Sequence, residues 1–87
     1  MAMKRAKFIA ELKKKKVHVC GTTEDFDGSK GGVWCSAEHG DKFNYYANDP
    51  QEKFYVMGVD KELEQFANEN GWYFEWHDAG TIMAWEI

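Results

Sequence analysis

Apolar residues recur along this 87-residue chain first with the period of a helix and then with that of strands. Between residues 3 and 15, Ala6, Phe8, Ile9, Ala10 and Leu12 fall on one broad face, and Lys4, Lys7, Glu11, Lys14 and Lys15 on the other. This pattern predicts an amphipathic helix. Glu11 and Lys15 are spaced for an i, i+4 ion pair, and the lysines that close the helix suit the negative end of its dipole. "KVHVCG" then alternates, Val17 and Val19 against His18 and Cys20, as a strand does. Residues 22–32, "TTEDFDGSKGG", read as a glycine-rich acidic loop. "VWCSAE" and "KFNYYAN" read as a second and third strand joined at "HGD", and "FYVM" as a fourth after the turn "NDPQEK".

A second helix is predicted over 61–70, with Asp60 as its N-cap and Asn70-Gly71 as its stop. Leu63, Phe66 and Ala67, with Val59 just ahead, give it a narrow apolar stripe. "WYFEWH" and "TIMAWEI" follow as two strands of a hairpin turned at "DAG". The order α-β-β-β-β-α-β-β makes an α+β domain: a largely antiparallel sheet of five or six strands with two helices.

Alternation in "WYFEWH" assigns Trp72, Phe74 and Trp76 to the core and Tyr73, Glu75 and His77 to the opposite face. "TIMAWEI" is apolar on both faces, Met83, Trp85 and Ile87 on one and Ile82 and Ala84 on the other. A sheet with one wet face alternates more cleanly than this. Either the helices cover both faces, or one face is an open contact surface. A core this small holds about a dozen large side chains, and the chain has 14 aromatic residues (Phe 6, Tyr 4, Trp 4).

Charge separates along the chain. Residues 1–16 carry seven basic groups and one acid, +6; residues 17–87 carry four basic groups and fourteen acids, −10. One domain over 1–87 is expected, a basic helix over 1–16 leading an acidic, sheet-rich body. No apolar run approaches the ~20 residues of a membrane span, and residues 1–16 hold no signal-type apolar core. The reading is a cytoplasmic protein, that of the host cell if phage-encoded. Cys20 and Cys35 fit reduced thiols, with a single bridge between them as the alternative.

Candidate chemistry is sparse. His18, Cys20, Cys35 and His39 are the best metal set, but their spacing matches no familiar zinc pattern, and alternation turns Cys35 inward with Val33. From Asp25 an EF-hand would need glycine at position six and glutamate at twelve; the chain has Lys30 and Ser36. Cys35 with His39, and Glu75 with His77 beside Tyr73, are the conceivable catalytic pairs, and nothing in the sequence orients them. No cofactor and no enzymatic activity are expected.

The leading expectation is a protein that binds another, basic protein through an acidic, aromatic surface. Tyr46, Tyr55, Tyr73 and Trp85 are the expected anchors, with Glu75 and Asp78 at the rim and the loop acids Glu24, Asp25 and Asp27 as further contacts. One alternative is nucleic-acid binding through Lys4, Arg5, Lys7, Lys13, Lys14, Lys15 and Lys16, which the acidic body opposes. A second is that the acids, spread from Glu38 to Glu86, imitate a phosphate array. A third is a homodimer built on "TIMAWEI" as an unguarded edge strand. In size, charge and lack of chemical motifs the chain resembles small phage-encoded inhibitors of host machinery, a resemblance of character with no motif behind it.

Overall fold

The computed structural model describes residues 2–38, 42–45 and 58–87, and the backbone of 54–55. The elements in chain order are α1 (Arg5–Lys14), β1 (Val19–Thr22), α2 (Thr23–Asp27), β2 (Val33–Ser36), β3 (Phe54–Tyr55), β4 (Val59–Asp60), α3 (Lys61–Glu69), β5 (Trp72–Asp78) and β6 (Thr81–Glu86). The α+β class predicted from the sequence holds, with three helices in place of two. The strands form a four-stranded antiparallel sheet, order β1-β2-β6-β5, and a two-stranded one, β3-β4. Of the expected third strand, the described residues contribute a single bridge, Phe43 to Val59. No helix among the described residues is long and apolar enough to cross a membrane.

Strand order corrects the edge-strand reading. β6 pairs with β2 on one side and β5 on the other, so "TIMAWEI" is central and its backbone is already paired. The edges are β1 and β5. A homodimer built on β6 as a free edge therefore has no basis in this fold.

The register defines two faces. Val33 pairs with Ala84 and Ala84 with Phe74, while Cys35 pairs with Ile82 and Ile82 with Trp76. These residues, with Val19 and Trp72, point to the core. Against them lie Phe8 and Leu12 of α1, Leu63, Phe66 and Ala67 of α3, and Val17, Phe43 and Val59. Both long helices therefore share one face. Phe8 sits in the middle, fully buried, its ring stacked on Trp72 at 4.6 Å and on Phe66 at 6.0 Å. The Trp72 indole N–H donates to the carbonyl of Met3 at 2.7 Å, which satisfies the one polar atom in that stack and ties down the entry to α1.

Helix ends follow capping chemistry. Asp60 accepts the Leu63 N–H and caps α3 as the sequence predicts. α1 closes differently. The Val17 N–H donates to the Leu12 carbonyl at 3.0 Å and the Lys16 N–H to the Lys13 carbonyl at 3.2 Å, with Leu12 and Val17 both buried. This is a Schellman ending. Lys16 occupies its left-handed position, φ +70, the one non-glycine residue with positive φ among those described. Glu11 pairs with Lys14 at 3.2 Å and not with Lys15, because the Lys15 ammonium lies 4.4 Å over the Phe66 ring.

The segment expected to be a loop, 22–32, contains α2. Thr22 caps it by accepting the Asp25 N–H and donating to the Asp25 carboxylate, and Gly28, φ 86, ends it. Thr23, fully buried, accepts the Gly32 N–H and donates to the Ser29 carbonyl, folding the segment back on itself.

Because Phe8 joins α1, α3 and β5, Phe8→Ala is expected to cost about 3–5 kcal/mol, measured as a lowered urea midpoint at unchanged m-value. A loss under about 1 kcal/mol, the typical single-substitution effect, would mean that the ring stack does not organise the core.

Candidate functional site

The second sheet face carries Trp34 from β2, Met83 and Trp85 from β6, and Tyr73 and Glu75 from β5. The register brings them into contact order: Trp34 pairs with Met83 and Met83 with Glu75, and Trp85 pairs with Tyr73. Neither sequence-derived alternative for this face is realised whole. α2 covers part of it, with Phe26 5.0 Å from the Trp34 ring and 4.9 Å from His77, and Met83 is buried. The part around Tyr73 stays open. Tyr73 is 39% exposed, Ile87 75% exposed, and Glu75 is exposed beside them.

Trp85 is held half-buried between the open and covered parts. A Cβ on Gly32 would lie 2.7 Å from its ring, so only glycine lets the backbone approach this closely. Its indole Nε1 is buried and finds no acceptor among the described residues, an unmade hydrogen bond in an otherwise packed corner.

The covering segment is fastened to α1 by one side chain. Arg5 donates from Nη1 to Glu24 at 2.7 Å and to the Gly32 carbonyl at 3.2 Å. Glu24 in turn accepts the Gly31 N–H at 3.0 Å. The Gly31 and Glu24 backbone N–H groups, followed by Arg5, hold the Glu24 carboxyl down at about 2, from an ordinary 4.5. At the far end of β5, His77 Nδ1 lies 3.0 Å from Asp78. This contact, and after it the Gly80 N–H, lowers the Asp78 carboxyl, while Asp27 is lowered chiefly by Ser29 and also by the His77 charge. The outer face is thus rimmed by carboxylates that stay ionised well into acid.

Of the residues singled out in the sequence, Tyr73, Trp85 and Glu75 come together on this face, and Asp78 lies at its end, engaged by His77 and Gly80. Tyr46 and the side chain of Tyr55 lie outside the described residues. Arg5 leaves the expected basic strip to clasp Glu24. Phe26 and Ile87 belong to the surface although no anchor role was expected of them; the Thr22-x-x-Asp25 capping pattern is the sequence signal that would have placed Phe26 on a helix.

Of the metal set, the described residues include His18, Cys20 and Cys35. Cys35 is fully buried while Cys20 is exposed, and both are free thiols. His18 is exposed and His39 lies outside the described residues. Among the described residues no three His, Cys, Asp or Glu side chains gather. Burial, with a smaller contribution from Cys20, pushes the Cys35 thiol up to about 12, which disfavours the thiolate that a nucleophilic role needs. Comparison with protein-family models, curated sequences and solved structures gives no match.

Two measurements check this geometry. A carboxyl whose folded value is depressed stabilises the fold above its unfolded value and loses that contribution as pH falls through the folded one. The stability difference between the natural protein and Glu24→Gln, from urea midpoints, should therefore be constant above pH ~5 and shrink from 4.5 toward about 2; a pH-independent difference would remove the clasp. Thiol labelling of the native protein should modify Cys20 alone, with Cys35 reacting only on unfolding.

Proposed function

We propose that this protein is a non-catalytic binding module that takes a basic protein partner on the open outer face of the β5–β6 hairpin. The observation that carries the reading is the direct pairing of exposed Tyr73 with half-buried Trp85, edged by Glu75, Asp78 and the α2 carboxylates. Tyr and Trp supply large rigid area with a polar handle, the chemistry that dominates bound-state energy at protein interfaces. The surrounding carboxylates steer a positively charged partner into place and set the dependence on salt. Asp27 and Asp78, held below the ordinary carboxylate range by their neighbours, keep that field down to low pH.

Tyr73 and Glu75 stand on an open strand face while His77 packs against Phe26, and a face that exposes the carboxylate to bulk water is suited to contact and ill suited to acid–base catalysis, which works best where water is excluded. The free thiols of Cys20 and Cys35 suit a reducing compartment, and we place the protein in the cytoplasm.

The test is affinity capture from a cell lysate at ~150 mM salt, where exposed charges act only over ~8 Å, followed by identification of the retained protein. Tyr73→Ala and Glu75→Lys, both at exposed positions, should keep the urea midpoint within about 0.5 kcal/mol of the natural protein. They should weaken the captured partner by about tenfold or more. Lys4→Gln, on α1, should leave capture intact. Retention of the same partner by both outer-face variants would overturn the reading.

A further inference from the structure

The solvent face of α1 carries charge of one sign. Lys4, Lys7, Lys13, Lys14 and Lys16 are exposed on it and at its ends, and the single acid of the segment, half-buried Glu11, is engaged by Lys14. At about 100° per residue, exposed Ala6 and Ala10 stand opposite buried Phe8 and Leu12. Lys13 falls on one flank of this alanine crest, and Lys7 and Lys14 on the other. Arg5 and Lys15 are not part of the face, since one clasps Glu24 and the other lies over Phe66.

Helix formation does not account for the sign. Lysine and glutamate are about equally good helix formers, and residues 17–87 carry fourteen acids to four basic groups. The helix dipole favours Lys13 and Lys14 in the last turn, but in the first turn it favours acids. α2 and α3 follow that rule with Glu24 and Asp25, and with Glu62 and Glu64, whereas α1 has no acid in its first turn and an N-cap, Lys4, that makes no side-chain cap. Lys4 and Lys7 therefore place positive charge where the helix gains nothing from it. The carboxylates of α2 and β5 belong to the other side of the sheet. Glu62 and Glu69 of α3 are exposed on the helical side and restrict a polyanion to α1 itself.

We infer that the exposed face of α1 docks on double-stranded DNA, held through the phosphates. A helix with its side chains is ~10–12 Å across, and the major groove, ~12 Å wide, admits one. The alanine crest lets the helix approach closely, and lysines on both flanks reach the phosphates that border the groove. The face carries no arginine, asparagine or glutamine for paired contacts with base edges, so charge sets the affinity. A bilayer is a poorer match, because the face has no apolar side chain larger than alanine to bury among lipids.

The experiment is fluorescence anisotropy of a labelled DNA duplex titrated with the full chain at a series of sodium chloride concentrations. Log affinity is expected to fall with log salt at a slope near −4, about 0.9 for each of four or five phosphates neutralised. The double variant Lys7→Gln, Lys14→Gln should reduce that slope by about 2 and weaken binding at low salt by about tenfold or more. Both positions are exposed, so its urea midpoint should match that of the natural protein. Glu11→Gln, which releases Lys14, should tighten binding. Tyr73→Ala should bind the duplex unchanged, which separates failure of this inference from failure of the outer-face reading. Absence of binding at low salt, or a slope that the double variant leaves unaltered, would overturn the proposal. So would equal binding to phosphatidylserine vesicles, or to an RNA duplex, whose narrow major groove excludes a helix.

Discussion

The stack of Phe66, Phe8 and Trp72 fixes everything else. Phe8 lies near-parallel between a ring from α3 and a ring from β5, so α1, α3 and the sheet are located by one side chain. With both long helices committed to that face, α2 alone among the described elements covers the opposite one. The open surface at Tyr73 follows from this imbalance of cover, and the tightly apolar inner face is its counterpart.

The same arrangement separates charge in space. α1 brings its lysines to the helical side, where Lys14 pairs with Glu11 and Lys15 rests on Phe66. The outer face collects Glu24, Asp25 and Asp27 from α2 with Glu75 and Asp78 from β5. Arg5 is the exception that joins the two regions, reaching across to Glu24 and the Gly32 carbonyl. A single guanidinium therefore links the position of α1 to the segment that packs on Trp85.

Much of this was legible in the sequence, and what was not has physical reasons. α1, α3 and the β5–β6 hairpin carry long periodic signals with recognisable stops, and their inward residues follow from spacing alone. Tyr73 and Glu75 face outward by simple alternation. α2 escaped because its five residues are too few to show a period; its evidence was the cap at Thr22 and the stop at Gly28, which look equally like a loop. The half-burial of Trp85 depends on Gly32, 53 positions earlier (85 − 32), and no local pattern encodes such a contact. Strand order was likewise invisible: nothing in "TIMAWEI" says that it inserts between β2 and β5.

That insertion has a bearing on how the chain folds. β1 and β2 can zip together locally, and α3 leads directly into β5, but these two pieces have no backbone partner in common until β6 lies between them. β6 is the last of the four strands to be synthesised, so the sheet cannot be completed progressively as the chain grows. Its closure requires β2 to pair with β6, strands far apart in the chain, and the conformational search spans that separation. Until that moment the apolar residues on both flanks, Val33 and Cys35 on one and Phe74 and Trp76 on the other, lack the strand that seals them.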